Sequence, residues 1–269
     1  MLEYYLSRFT VDRRCYFSQP SEGSSSWSNF ISNGISPMAH SKEQEAFRFI
    51  SYEEELQRAK WFKEDLDKGD GWSVAGKGFG YKYWIKTISG DDFPIKIMYM
   101  IDMPFPAKVF TQMLDPRNME ARCNWDKAFV ENEILEEYPD DGGYVVYMRA
   151  LLSCPLKDRS FVLYLPPPKE VDWYGKQALF LLIKDALHPK KPEGEDGLVR
   201  ATNGGNFYVV IPDEDEPDAA CKIFGLTNNL YNGYIPKTNM EWMQKRIVPR
   251  KFNEWRQNMV EGYHKYFKN

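Results

Sequence analysis

The sequence lacks the patterns that mark several common classes of protein. Its few cysteines lie far apart and form no Cys-x-x-Cys pair, which argues against a zinc site or a dithiol redox centre. No apolar run approaches the roughly 18 residues that a membrane-spanning helix needs. The absence of any Asn-x-Ser/Thr glycosylation site, together with the sparse cysteines, favours a reducing, cytoplasmic compartment.

The usual signatures of catalysis and nucleic-acid binding are also missing. The formal net charge is −4, so the chain has no global basic field for nucleic acid. Its three histidines, His40, His188 and His264, stand apart in the sequence and belong to no His-Glu-x-x-His motif. The glycines from Gly76 to Gly80 resemble part of a nucleotide-binding loop, but no helix follows them. We therefore expect no catalytic residues, no metal and no cofactor.

Aromatic residues are abundant instead. They make up 16% of the chain, with 8 Trp, 17 Tyr and 17 Phe. This is more ring surface than a core of this size requires, which favours a lined cavity or an exposed aromatic face. An unusually aromatic core is the alternative.

The order of hydrophobic patterns predicts an α+β protein. A helical pattern over residues 42–68 is followed by strands, two short helices, more strands and a long C-terminal helix from Ile235 to about residue 267. No alternation of strands and helices occurs, so a parallel sheet is not expected. Such an order predicts a strongly curved antiparallel sheet wrapped around the final helix. We expect residues 1–42 to form a partly flexible N-terminal appendage and residues 43–269 to form the folded domain. The predicted strands are Ser73–Gly78, Tyr81–Ile88, Ile95–Asp102, Phe129–Tyr138, Tyr144–Leu152, Ser160–Leu165, Gln177–Ala186, Gly197–Ile211 and Ala220–Leu226.

One short helix combines opposite charges with a tryptophan. Arg122 and Asp126 are four residues apart and share a helical face, with Trp125 beside them. On spacing alone, a surface ion pair worth about 0.3–0.5 kcal/mol is the simpler interpretation. A buried arginine could instead hold a polar group at the edge of an apolar interior.

Four motifs in chain order decide between these interpretations. They are Arg122-Cys-Asn-Trp125-Asp126, Tyr144-Val-Val-Tyr147, Leu156-Lys-Asp-Arg159-Ser-Phe161-Val, and Ile235-Pro236 followed by Val248-Pro249. Together they resemble the START family (steroidogenic acute regulatory protein-related lipid-transfer domains), and most closely its phosphatidylcholine and ceramide carriers. The resemblance implies a helix-grip fold that encloses a hydrophobic tunnel for one lipid.

The resemblance also implies a site for the lipid headgroup. Arg122, Trp125 and Asp126 match the element that holds the headgroup in those carriers. Met148 and Phe161 occupy positions that carry a Trp and a Tyr in the choline cage of the phosphatidylcholine carrier, and Gly204 falls near the third. Because a cation–π cage needs several rings, the match favours a phosphate-binding arginine over choline specificity. Asn203, near an amide of the ceramide carriers, leaves a ceramide-like ligand open.

The remaining expectations concern the tunnel and its surroundings. From Lys237 onward the chain carries eight basic against three acidic side chains, which favours transient contact with anionic membranes. We expect a monomeric lipid-transfer protein, cytoplasmic and peripheral at membranes. A lipid sensor or adaptor without transfer, and a helix-grip enzyme such as a cyclase or hydratase, are the alternatives; against the enzyme, Arg122 should lower the pKa of Asp126. The predicted tunnel and lid residues are Met100, Tyr147, Met240, Met243, Ile247, Trp255 and Met259.

Overall fold

The computed structural model describes residues 46–152, 157–194, 197–233 and 248–268. Within these ranges an antiparallel sheet carries a long helix at its C-terminal end, which confirms the predicted fold class. The predicted appendage, residues 1–42, lies outside the described residues, and so does the predicted start of the final helix at Ile235.

The strands of the described residues are β1 Ser73–Gly78, β2 Tyr81–Thr87, β3 Ile95–Met103, β4 Phe129–Tyr138, β5 Gly143–Ala150, β6 Arg159–Leu165, β7 Lys169–Trp173, β8 Lys176–Asp185, β9 Val199–Arg200, β10 Thr202–Asn203, β11 Asn206–Pro212, β12 Cys221–Thr227 and β13 Asn229–Leu230. Eleven of these strands pair in one sheet, whose main order is β1-β2-β3-β12-β11-β8-β6-β5-β4. The short β7 adds to β8, and β9 pairs in parallel with β6. Two further short strands, β10 and β13, pair with each other.

The ends of the first helix are set by local interactions. Helix α1, Tyr52–Lys68, begins where the Ser51 side chain accepts a hydrogen bond from the Glu54 amide, and it ends at Gly69 in a left-handed conformation. The others are α2 Ala107–Leu114, α3 Met119–Trp125 and α4 Val248–Gly262, which continues as a π-helix over Tyr263–Phe267.

Alternating side chains on β8 separate the two faces of the sheet. Leu179 and Leu181 pack in the cluster that contains Met259 of α4, whereas Phe180 packs in the cluster that contains Phe62 of α1. We call the α4 side the inner face and the α1 side the outer face. The next inner residue of β8, Ile183, contacts a further cluster built on β5 and β6. The inner face therefore runs continuously from α4 across β8 to β5.

Several predicted elements differ from the structure. Helix α1 begins at Tyr52 and not at residue 42, because Ser51 provides the cap. The single strand predicted over Gly197–Ile211 is divided into β9, β10 and β11, with Gly205 at φ 87° between the last two. The strand β7 was not predicted, because its sequence, Lys-Glu-Val-Asp-Trp, has little apolar content.

Candidate functional site

The central part of the candidate site is helix α3. Asp115 accepts a hydrogen bond from the Arg117 amide and so begins a short 3₁₀ turn, which leads directly into α3. The helix ends at Asp126, whose amide donates to the Arg122 carbonyl at 2.7 Å. Arg122, Trp125 and Asp126 are all buried, with exposed fractions of 8%, 3% and 1%. The sequence motif is therefore an interior feature and not a surface ion pair.

The Arg122 guanidinium has few polar contacts with the described residues. Its Nε lies 3.7 Å from Asp126 Oδ2, an ion pair too long for a good hydrogen bond. The guanidinium carbon lies 5.3 Å from the centre of the Phe129 ring. No hydrogen bond joins the guanidinium to any other residue that the structure describes. A buried cation held this loosely has capacity for a further anionic partner.

Two more buried polar atoms beside it are without a hydrogen-bond partner within the described ranges. These are the indole Nε1 of Trp125, a donor, and Oδ2 of Asp126, an acceptor. Oδ1 of Asp126 accepts a weak hydrogen bond from the Ala128 amide at 3.3 Å. Most buried polar groups in folded proteins are paired, so this concentration of atoms without partners among the described residues makes this region a candidate binding site.

Burial raises the pKa of Asp126 above its usual range. The Arg122 charge, the Ala128 amide and the Trp255 indole act in the opposite direction but do not outweigh the loss of solvent. Arg122 does act to lower the pKa of Asp126, but the expected net lowering is wrong. The ion pair is long, and burial of the carboxyl has the larger effect.

Helix α4 closes over this site. Its Met259 is fully buried in one cluster with Trp125. Its Trp255 ring stacks on Tyr208 of β11, with centroids 6.5 Å apart, and meets Tyr99 of β3 edge-on at 6.4 Å. Gly262 allows the closest approach, since a Cβ there would lie 2.7 Å from the Trp125 side chain. The site is thus formed jointly by α3, α4 and the inner face.

A second group of predicted residues lies on β5 and β6. Met148 and Phe161 are directly opposite each other in the β5–β6 register and are buried on the inner face. Phe129, over which Arg122 lies, packs against the same cluster. The ring of Tyr231 meets Phe161 at 6.3 Å. The side chains at 148 and 161 thus form an apolar wall that reaches the arginine.

Asn203 has contacts within the fold that the sequence did not reveal. Its side-chain oxygen accepts hydrogen bonds from the amides of Gly205 and Asn206, at 2.8 and 3.0 Å, and so shapes the turn between β10 and β11. The backbone amide of Asn203 donates a hydrogen bond to Oδ1 of Asp185 at 2.9 Å. The side-chain oxygen is therefore already used by the fold.

Two predicted tunnel residues lie on the other side of the sheet. Met100 packs in the outer cluster beneath α1, because its inner-facing neighbours on β3 are Tyr99 and Ile101. Tyr147 likewise faces outward, opposite to Met148, and the Lys191 ammonium lies 4.2 Å from its ring centre. Their placement corrects the prediction, which did not resolve the alternation of each strand. Met240, Met243 and Ile247 lie outside the described residues.

Sequence reasoning missed two inner residues. The Tyr208 ring meets that of Tyr99 edge-on with centroids 6.3 Å apart, and the nearby charge of Arg122 partly offsets the rise that burial causes in the pKa of Tyr208. Asp185, at the end of β8, has its pKa raised to about 6, chiefly by burial. The alternation of side chains along β8 could have predicted which of its residues share a face with Asp185. It could not have predicted which strands lie beside β8.

Other kinds of site find no support within the described ranges. No group of three or more His, Cys, Asp or Glu side chains there is arranged to hold a metal ion. No helix in that part of the chain is both long and apolar enough to cross a bilayer.

Comparisons with known proteins agree with the fold of the described residues. Residues 57–262 match the START domain family. Human StAR-related lipid transfer protein 5 superposes with a TM-score of 0.61 at 15% identity, covering 79% of this chain and 98% of that one. Human STARD10 gives 0.60 at 20% identity, with coverage of 78% and 82%. A fragment of a STAR-related lipid transfer protein from Xanthomonas axonopodis gives 0.54 at 16% identity, with coverage of 73% and 100%. No curated protein sequence matches the chain.

Proposed function

The chain belongs to the START domain family, and we propose that it binds one polar lipid in its interior and carries it between membranes. The headgroup contacts Arg122, Trp125 and Asp126, and the acyl chains lie along the inner face. A phospholipid is the ligand that this site favours. The observation on which the proposal rests is the buried Arg122 guanidinium, which has one long ion pair and no hydrogen bond within the described residues.

A phosphate group would accept the hydrogen bonds that the Arg122 guanidinium can donate. Its oxygens can accept two parallel hydrogen bonds from the planar guanidinium, a geometry that a lysine could not provide. Asp126 lies too far from Nε to satisfy the cation alone. Without a ligand, the buried charge would be a net cost to the fold.

The neighbouring unpaired atoms add a second requirement. Trp125 Nε1 can donate to a ligand oxygen, and Asp126 Oδ2 can accept from a ligand hydroxyl or amine. Met148 replaces an aromatic ring at the position where a choline cage would need one. The site therefore favours a headgroup with both acceptors and donors over a quaternary ammonium. A ceramide-like ligand, with its amide and hydroxyls, is the alternative within this class.

The inner face supplies the apolar contact that acyl chains need. The cluster around Met148 and Phe161 also contains Val146 and Leu163, all from adjoining strands. Each buried methylene of a lipid chain contributes about 0.8 kcal/mol. Tyr208 remains partly accessible although it lies beneath Trp255, as expected for a ring that borders an interior space.

Native mass spectrometry of the purified protein tests the headgroup assignment. Wild type should carry a lipid mass, and Arg122→Ala should lose it while remaining folded. Arg117→Ala is the matched control, since Arg117 lies in the same segment but its side chain is 69% exposed and paired with Asp115. Full lipid occupancy in Arg122→Ala would refute the assignment.

Transfer is a separate claim from binding. A carrier should move fluorescent phospholipid between donor and acceptor vesicles at a rate that rises with protein concentration. A sensor or adaptor would become loaded yet leave the vesicle populations unmixed. We expect transfer by a monomer in a reducing compartment, in keeping with the free thiols of Cys123 and Cys221.

A helix-grip enzyme is a second candidate, because the raised pKa of Asp126 is what a buried general acid would show. The test is to incubate the protein with lipid extracts and to search for new masses. A product formed by wild type and not by Asp126→Asn would favour catalysis. Lipid recovered unchanged from both would favour carriage.

A further inference from the structure

The hairpin between β1 and β2 carries a fully exposed aromatic ring at its tip. Phe79 is 94% exposed, the highest value among the large apolar side chains that the structure describes. It stands between Gly78 and Gly80 in a two-residue turn. Isolated exposed apolar residues are common on proteins, so exposure alone proves nothing. Two further features distinguish this tip from other exposed apolar residues: the packing beneath it and the positive charges beside it.

The hairpin is held firmly below the tip. A Cβ at Gly76 would lie 2.2 Å from the Tyr83 ring, and one at Gly78 would lie 2.3 Å from the Tyr81 ring. Both rings therefore lie directly across the backbone of β1. The glycine series that resembles part of a phosphate-binding loop serves this close packing.

Helix α4 supports the other side of the turn. Gly80 has a φ of 72°, and a Cβ there would lie 2.9 Å from the Arg256 guanidinium. The Nε of Arg256 donates to the Asp102 carbonyl at 3.1 Å. Phe79 is thus presented on a rigid support that contacts the helix covering the inner face.

Two lysines flank the tip at a cost to the hairpin. Lys77 and Lys82 are direct cross-strand partners and both are exposed. Like charges directly opposite each other destabilise a strand pair. No carboxylate lies within ion-pair distance of either lysine in the described parts of the chain, and the Lys82 ammonium instead lies 4.8 Å from the Trp84 ring. An external anionic partner would offset the repulsion between the two lysines.

We infer that residues 76–82 dock the protein onto an anionic lipid surface, with Phe79 entering the interface and Lys77 and Lys82 contacting the headgroups. This inference rests on the proposed function, which requires contact with membranes. A single projecting ring between cations has the composition of interfacial membrane anchors. A protein partner would need a broad complementary patch, whereas the apolar part of this surface is one ring.

Flotation with vesicles tests the inference. Wild type should bind vesicles of phosphatidylcholine mixed with phosphatidylserine, and more weakly at high salt. Phe79→Ser should reduce binding about tenfold, and replacing Lys77 and Lys82 by Gln should reduce it about fivefold for each lysine. The matched control is Phe49→Ser, because Phe49 is 83% exposed but lies before α1; it should bind as wild type does.

A second variant measures depth. Phe79→Trp should retain binding, and brominated lipids should quench its additional fluorescence above the level seen for wild type. Equal quenching of the two proteins would overturn the inference. Unchanged flotation of Phe79→Ser, or an equal loss in Phe49→Ser, would do the same.

Lipid occupancy, measured by native mass spectrometry on the same samples, separates the two proposals. Phe79→Ser that is loaded but no longer floats supports both. A loaded Phe79→Ser that floats like wild type contradicts docking alone. Wild type that floats in the manner described but never carries lipid supports docking and contradicts carriage.

Discussion

The two faces of the sheet both carry apolar clusters but treat polar groups differently. On the outer face, Glu55 binds both Arg58 and Lys184, and these partners lower its pKa in spite of its burial. On the inner face, burial raises the pKa of Asp126 in spite of Arg122. Glu55 therefore has close charged partners, whereas Asp126 has none as close among the described residues.

This difference indicates a division of roles. A buried ion pair is a net cost unless its geometry is close and its remaining hydrogen bonds are satisfied. The outer face meets that condition and packs tightly under α1, so it supplies stability. Arg122 on the inner face does not meet it among the described residues, so we propose that a ligand supplies the missing partner. Substitutions on the two faces should therefore separate stability from lipid loading.

The largest effect is expected on the outer face. Phe207, fully buried beneath α1, packs against Phe180 and Phe224. Phe207→Ala should lower the free energy of unfolding by about 3–5 kcal/mol, because it leaves a cavity in a packed cluster. Urea unfolding measures this loss. The fraction of folded protein that carries lipid should not change, and a matching loss of loading would end the proposed division.

A smaller effect is expected where α4 meets α3. Gly262→Ala places a methyl group 2.7 Å from the Trp125 side chain, so one of the two helices must shift. We expect a loss of about 1–3 kcal/mol in stability, measured by urea unfolding. Lipid should also leave faster in a vesicle transfer assay. Backbone strain does not contribute to this effect, because Gly262 has a helical φ of −61°.

At Asp126 we expect a substitution to raise stability, whereas the two preceding substitutions lower it. The unfolded chain releases this proton near pH 4, and the folded protein holds it to a higher pH. Between these values the folded state binds more protons, so ionisation lowers stability as the pH rises through the folded pKa. Asp126→Asn should therefore abolish this loss of stability with rising pH, while lipid loading falls. Thermal unfolding that shows a loss instead would mean that Asp126 has a structural partner.

The smallest effect is expected at Asp185. Its pKa is raised from 3.8 to about 6, so the folded state binds the extra proton and loses stability as the pH rises between these values. Asp185→Asn should remove a pH dependence of about 1 kcal/mol over that window, after allowance for partial exposure. Urea midpoints from pH 4 to pH 7 measure it. An identical dependence in the variant would locate the proton elsewhere.

The sequence predicted the order of elements because each strand and helix has a local periodicity. It also located Arg122, Trp125 and Asp126, whose spacing is local. It failed at Met100 and Tyr147, because choosing the buried face of a strand with apolar residues on both sides requires knowledge of its neighbours. It could not find Tyr208, which reaches the site only through the pairing of β11 with β8 and β12.

The most direct test of the central claim compares Arg122→Met with wild type, each delipidated and each loaded, by urea unfolding. If a ligand completes the arginine, delipidated Arg122→Met should be at least as stable as delipidated wild type, and only wild type should be stabilised strongly by phospholipid. A delipidated Arg122→Met that is several kcal/mol less stable than wild type would contradict the account, because Arg122 would then be held by the protein itself.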